Sequence, residues 1–181
     1  IVNGSITKEK LSTALLERVY GGKMLLAWDS PDESDNPNTD CPLGQLWLRP
    51  AIVPGLRDIT DAIHREGAAA AIQIGHCGNM THLTTAGQIP IGASWGFNLY
   101  AYTPVRGMRR KEIEEVARDF GRAVRTAHEA GFDSVEVHAG HGYLISQFLS
   151  PYTNHRRDEY GGSLDNRMRF MRMCLGEVME A

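Results

Sequence analysis

The sequence predicts an α/β fold built from parallel βαβ units. Helical apolar patterns alternate along the chain with short apolar runs of strand length. Long polar segments follow the strands, where a (β/α)8 barrel carries its active-site loops. Such a barrel has eight strands and takes about 250 residues, whereas these 181 residues show three strands. A doubly wound sheet fits the length better, but no glycine-rich phosphate loop follows the first strand.

Two helix–strand pairs are predicted in the first half of the chain: a helix over 8–20 with a strand over 23–28, and a helix from Pro54 to Gly67 with a strand over 68–75. In both helices apolar residues recur three or four positions apart, and glycine follows the last turn. The segment 29–50 between the pairs is rich in proline, glycine, Asp and Asn, which predicts a long loop.

The second half begins with a Gly- and Thr-rich connection over 76–109. The clearest helix follows and ends at Gly131; its apolar positions are Ile113, Val116, Phe120, Val124 and Ala127. A third strand is predicted over 134–138. A last helix begins at Leu164, with Ser163 as its cap and an apolar side of Met168, Met171, Leu175 and Val178. Phe148 and Phe170 are predicted to lie in the core.

Composition excludes several classes of protein. The net charge of −3 gives no bulk attraction to nucleic acid or anionic membranes, and no apolar run approaches the roughly 18 residues of a membrane span. The three cysteines form no CxxC, which indicates neither a disulfide framework nor a zinc site. The N-terminus shows no signal peptide and no start methionine. We therefore expect a cytoplasmic protein and a chain that is part of a longer one.

The residues best suited to chemistry follow the third strand. His138 ends this strand, and His141 and Tyr143 lie in the loop that follows. Ligands bind at the carboxyl ends of strands in α/β folds. Two histidines there can donate hydrogen bonds to one substrate oxygen, and a tyrosine hydroxyl can deliver a proton.

Two other interpretations of this histidine pair stay open on spacing alone. In one, the histidines are loop residues bonded to backbone, because HxxH is by itself a weak signal. In the other, they bind a metal, which needs at least one further ligand. The candidates for that ligand are His76, His155 and Asp133.

The surrounding sequence resembles a known family. The run HAGHGYLISQFLSPYTNHRRDEYGGSLDNRMRF, at 138–170, is similar to the central signature of the old yellow enzyme family of flavin-dependent ene-reductases, in a form closer to the bacterial branch resembling 2,4-dienoyl-CoA reductase. AIQIGHCGNM at 71–80 resembles the family's third strand, and IPIGAS at 89–94 falls in the family's order. The resemblance covers most of 50–180. It implies a TIM-barrel fold, of which this chain holds about strands two to four.

The resemblance also implies a chemistry. FMN would take hydride from NADH or NADPH and pass it to an activated alkene, an unsaturated carbonyl or a dienoyl substrate. His138 and His141 match the pair that binds the substrate oxygen, and Tyr143 matches the proton donor. Gln73 matches the glutamine that bonds the flavin pyrimidine edge, and its amide offers the donor and acceptor that this edge needs.

Departures from the family pattern keep a second hypothesis open. The family's first strand and strands five to eight are absent, and with them the loops that hold the flavin phosphate. Asn79 stands where the family commonly has arginine, and the acidic residue usual near the end of the second strand is replaced around Ala27 and Trp28. The cysteines lack iron–sulfur spacing. The alternative is an inactive half-barrel that oligomerises through open sheet edges.

A basic patch at the entrance of the long helix has two possible roles. It contains Arg106, Arg109, Arg110 and Lys111. Such a patch is usually a solvated helix entrance, but it can also bind the phosphates of a coenzyme A ester. The sequence does not specify the alkene.

Overall fold

The computed structural model describes residues 23–29, 48–81, 83, 88–99 and 102–181, the first of these ranges as backbone alone. In chain order the elements are β1 (Lys23–Asp29), α1 (Val53–Arg65, entered through a 3-10 turn at Pro50–Ile52), β2 (Ala69–Gly75), a 3-10 turn (Gly78–Met80), β3 (Ile91–Gly92), β4 (Gly96–Asn98), β5 (Thr103–Gly107), α2 (Arg110–Glu129), β6 (Ser134–Val137), α3 (Leu144–Leu149) and α4 (Leu164–Glu180). The predicted helix over 8–20 and most of the predicted loop over 29–50 lie outside the described residues.

The main sheet is parallel, with the strand order β1-β2-β6. Gln73 lies opposite Ala27 on one side and Glu136 on the other. The three strands are joined through helices, as the βαβ pattern of the sequence predicts. Their carboxyl ends therefore meet at one edge of the sheet, which is the edge that carries the candidate site.

The helices cover one face of this sheet. Alternation along β2 points Ala70, Ile72 and Ile74 into the core. There they pack with buried side chains of all four helices: Leu56 and Ile59 of α1, Ile113 and Phe120 of α2, Phe148 of α3, and Phe170 and Cys174 of α4. Each large apolar side chain buried there stabilises the fold by about 1.5–3 kcal/mol. The opposite face carries Ala71, Gln73, Ser134 and Glu136, which are half-buried or exposed within the described structure. One face of the sheet is thus core and the other is accessible.

The structure corrects the sequence prediction at several places. The connection over 76–109 contains a second small sheet, β3-β5-β4, with one parallel and one antiparallel pair. These strands have two to five residues, too few to show a clear alternation. The short helix α3 also went unpredicted.

The last helix packs partly as predicted. Of its predicted apolar side, Met171 and Val178 are half-buried against the core, whereas Leu175 is 39% exposed. Phe170 and Cys174 form its fully buried stripe. Ser163 caps this helix as predicted, because its hydroxyl accepts the backbone N–H of Asn166 at 3.3 Å. Within the described part of the chain, none of the helices combines the length and hydropathy that crossing a bilayer requires.

Candidate active site

The site is built at the carboxyl ends of β2 and β6. His138 follows directly after β6, and its backbone N–H donates to the carbonyl oxygen of Ile74 at 2.8 Å. Side chains alternate along a strand, so Glu136 and His138 belong to the same, accessible face as Gln73. The predicted strand over 134–138 is therefore one residue too long, and His138 is the first residue of the loop.

A tight turn returns the chain toward His138. The backbone of His141 has φ +53° and that of Gly142 has φ +76°, so two successive residues are left-handed. This conformation is uncommon for a residue with a side chain. The turn closes with the N–H of Tyr143 donating to the carbonyl of Gly140 at 3.1 Å, and Tyr143 is the residue from which α3 begins.

The turn brings the three predicted residues together. The ring centroids of His138 and His141 lie 5.1 Å apart. Those of His138 and Tyr143 lie 4.8 Å apart, with the planes nearly perpendicular at 85°. His141 is exposed, and the other two are half-buried. The cluster can therefore reach a ligand on the accessible face.

The surroundings of His138 favour its neutral imidazole. Partial burial lowers the pKa of His138, because it disfavours the imidazolium, and the neighbouring His141 lowers it further. Glu136 acts in the opposite direction by stabilising the imidazolium. A neutral imidazole keeps one N–H to donate and one nitrogen to accept.

Gln73 is tied to a residue that the sequence interpretation missed. Its amide nitrogen donates to the Glu136 carboxylate at 2.7 Å. Glu136 lies two positions before His138, so the period-two alternation of the strand SVEVH was the available signal. Gln73 thus lies on the face of the histidines, and its binding to a flavin edge stays a prediction.

None of the three candidates for a third metal ligand, Asp133, His76 and His155, forms a group with the histidine pair that could hold a metal. Asp133 lies at the opposite end of β6, where it accepts the N–H of Ala70 at 2.7 Å and contacts His64 at 2.8 Å. His76 is buried, and its Nδ1 accepts the N–H of Gly78 at 2.9 Å. Burial lowers the pKa of His76 to about 4. Among the described residues there is no group of three His, Cys, Asp or Glu side chains that would hold a metal.

The segment after β2 is tied to the small sheet. Asn79, at the position where the resemblance leads us to expect arginine, accepts hydrogen bonds from the Asn98 side chain through its carbonyl and its amide oxygen, at 2.6 and 3.2 Å. Asn98 belongs to β4 and is 9% exposed. This pairing is a feature of the site that neither the motifs nor the periodicity indicated.

The basic patch is partly neutralised. Arg106 makes a bidentate pair with Glu112 at 2.8 Å, and Arg110 pairs with Glu159 at 2.7 Å. Arg109 and Arg110 line an open cleft of about 730 Å³ together with Trp95. The location fits a solvated helix entrance, and a role in binding coenzyme A phosphates stays a prediction.

Comparison with known proteins identifies the family to which this chain belongs. Residues 46–181 match the sequence model of the NADH:flavin oxidoreductase / NADH oxidase family. The chain belongs to this family. It is 41% identical over 142 residues to an NADPH dehydrogenase of Bacillus subtilis (strain 168), an alignment that covers 78% of this chain and 40% of that protein.

Solved structures agree with this assignment. An old yellow enzyme homologue from Zymomonas mobilis aligns with a TM-score of 0.82 and 29% identity, over 97% of this chain and 51% of that one. A 2-naphthoyl-CoA reductase aligns with a TM-score of 0.74 and 34% identity, over 80% of this chain and 24% of that one. The chain thus spans about half the length of these relatives or less.

These findings confirm the predicted family and fold class. The chain forms part of a TIM barrel of the old yellow enzyme type, and the described residues contain no closed barrel. As its name indicates, the family is one of oxidoreductases that use flavin and NADH. The accessible face of β2 and β6 corresponds to the interior of that barrel, because the helices lie on the other face.

Proposed function

We propose that this chain supplies the substrate-binding and proton-donating residues of an FMN-dependent ene-reductase. The observation that supports this most directly is the cluster of His138, His141 and Tyr143 at the carboxyl end of β6. Two imidazoles and a phenol meet there on the accessible face of the sheet, within a family of flavin oxidoreductases.

The residues on this face fit a flavin. Gln73 is half-buried at the carboxyl end of β2, and the side chain one step before it on the same face is the small Ala71. A planar ring can therefore approach the sheet and meet an amide that both donates and accepts. Gln73 would hold the pyrimidine edge, and flavin, when bound, would supply a hydride taken from NADH or NADPH.

His138 and His141 would orient the substrate by donating hydrogen bonds to its electron-withdrawing oxygen. Negative charge grows on this oxygen when a hydride adds to the β-carbon. Donors aimed at it consequently stabilise the transition state more than the ground state.

Tyr143 would complete the reduction by giving its hydroxyl proton to the α-carbon, after which solvent restores the proton. The sum is one hydride and one proton added across the double bond, with the nicotinamide oxidised. The substrate class we infer is an activated alkene, an unsaturated carbonyl or acyl-CoA ester. A 2-naphthoyl-CoA reductase among the structural relatives supports the ester.

We expect the protein to work in the cytoplasm, where the buried thiols of Cys77 and Cys174 would stay reduced. The second candidate function is an inactive half-barrel that acts as an oligomerising module. The accessible sheet face supports it, because a parallel sheet is normally covered on both faces. A homo-oligomer is compatible with either function.

The experiment that separates these functions is an absorption spectrum of the purified chain after incubation with FMN and gel filtration. Retained flavin bands, followed by NADPH-dependent reduction of an enone, support the reductase. A colourless protein that elutes as a stable oligomer supports the module. The elution volume supplies the oligomeric state in the same run.

A further inference from the structure

Gln147 is a polar side chain in the middle of the apolar helix α3, and only 1% of it is exposed. We propose that Gln147 is a positioning residue that holds the turn carrying His141 and Tyr143 against the segment following β2. The proposal deepens the function proposed above and rests on it, because it concerns the geometry of the same histidine–tyrosine cluster.

The carboxamide of Gln147 bridges two separate segments. Its nitrogen donates to the carbonyl oxygen of Gly142 at 2.7 Å and to that of Cys77 at 3.1 Å. Its oxygen accepts the backbone N–H of Asn79 at 3.2 Å. A carboxamide nitrogen has two protons to donate, and both are used here. One side chain thus fixes the turn at 140–143 to the segment at 77–79.

The hydrogen bond to Gly142 lies at the left-handed part of the turn. Gly142 lies between His141 and Tyr143, in the left-handed pair of residues. Left-handed backbone at a residue with a side chain persists only where the surrounding structure holds it. Releasing the Gly142 carbonyl would let His141 return to a more common conformation and move its ring away from His138.

The space around the carboxamide is shaped by glycines. A Cβ placed on Gly78 would lie 2.6 Å from both the nitrogen and the oxygen of the Gln147 amide, and one on Gly92 would lie 3.1 Å from the oxygen. Side chains at these positions would displace the amide. The absence of side chains at Gly78 and Gly92 therefore leaves the space that the Gln147 amide occupies.

The test compares Gln147→Leu and Gln147→Glu with Phe148→Leu. Leucine removes all three hydrogen bonds at similar volume. Glutamate keeps the acceptor and, held protonated between two carbonyls, one donor. Phe148 is the next residue of α3 and packs on Phe170 with ring centroids 4.6 Å apart, so its truncation loosens the helix without touching the turn.

The primary readout is the pKa of His138, measured by NMR titration of ¹⁵N-labelled histidine rings. Gln147→Leu should raise this pKa, because His141, which lowers it, would lie further from His138 and the His138 ring would be less buried. Gln147→Glu should give a smaller rise. Phe148→Leu should leave the pKa of His138 unchanged, although it should lower stability about as much as Gln147→Leu does. Equal pKa values in the wild type and both Gln147 variants, or an equal rise in Phe148→Leu, overturn the proposal.

A kinetic readout applies to flavin-loaded protein. Gln147→Leu should slow enone reduction about 10- to 100-fold through kcat, with unchanged reduction of the flavin by NADPH. An equal loss in both half-reactions contradicts positioning. If Gln147→Leu does not fold, Gln147→Glu decides the question alone. The NMR titration needs no flavin. A chain that fails to bind FMN would therefore refute the proposed function, and the titration would still show whether Gln147 positions the turn.

Discussion

The ring of Tyr143 meets the ring of His138 edge to face, with centroids 4.8 Å apart and planes at 85°. His138 is the first residue after β6 and Tyr143 is the last residue before α3, so the turn between them brings the two rings together. A fixed contact between them means that the hydroxyl and the imidazole address the same region of the accessible face. Separate roles for the two groups in one reaction are therefore testable by separate substitutions.

Replacing Tyr143 should separate the two halves of the reaction. Tyr143→Phe keeps the ring contact with His138 and removes the proton. Flavin reduction by NADPH should be unchanged, whereas enone turnover should fall about 10²- to 10⁴-fold, the usual contribution of a general acid. Stopped-flow measurement of each half-reaction checks this. Tyr152→Phe is the matched control, because Tyr152 is 84% exposed. An equal fall in both half-reactions would show that Tyr143 is not the proton donor.

Removing the histidine pair should weaken binding of ligands that present an oxygen. His138→Ala with His141→Ala removes both donors, and the Kd of a phenol bound over the flavin should rise at least about 10-fold, since each hydrogen bond contributes about 1 kcal/mol. Titration of the long-wavelength absorption band measures this Kd. His128→Ala is the control, because His128 is exposed at the far end of α2. An unchanged Kd in the double variant rules out the paired donors.

The sequence predicted those parts of the site that follow from residues close together in the chain. The alternation of β6 and the three-residue spacing of His138 and His141 placed both at one strand end, and the structure agrees. Gln147 escaped prediction because its partners are backbone atoms, some of them about 70 residues away. The local sequence LISQFL does not indicate which backbone groups Gln147 contacts. The left-handed backbone at His141 is equally invisible, since only glycine signals such a turn.

The buried imidazole of His76 should make stability fall in acid. Its pKa is near 4 in the folded protein and 6.5 when unfolded, so the unfolded state binds more protons between these values. Stability should therefore be complete above about pH 6.5 and decline as pH falls toward 4, by about 3 kcal/mol. Urea unfolding at several pH values measures the loss.

A variant isolates His76 from the carboxylates that also titrate in acid. His76→Asn keeps an acceptor for the Gly78 N–H but has no proton to gain, so its loss of stability between pH 6.5 and 4 should be smaller by about the same 3 kcal/mol. His128→Asn, at an exposed position, should behave as the wild type does. Parallel pH dependence in His76→Asn and wild type would assign the acid loss to other groups.

Two glycine substitutions should change stability in opposite directions. A Cβ on Gly161 would overlap the carbonyl oxygen of Arg156, in a loop fixed by the Asn154 side chain, which donates to the carbonyls of Phe148 and Tyr160 at 2.7 Å. Gly161→Ala should therefore destabilise the fold by about 1–3 kcal/mol. A Cβ on Gly176 meets nothing within 4 Å in helix α4. Gly176→Ala should stabilise by about 0.5–1 kcal/mol, because alanine loses less backbone entropy.

Urea midpoints of the two variants, compared with the wild type at neutral pH, measure both changes. Both variants replace glycine by alanine, so the difference between their urea midpoints reports the local environment of the two positions. If Gly161→Ala leaves the midpoint unchanged, the close approach of Gly161 to the Arg156 carbonyl does not constrain this loop. The hydrogen bonds of Asn154 would then hold the loop in position by themselves.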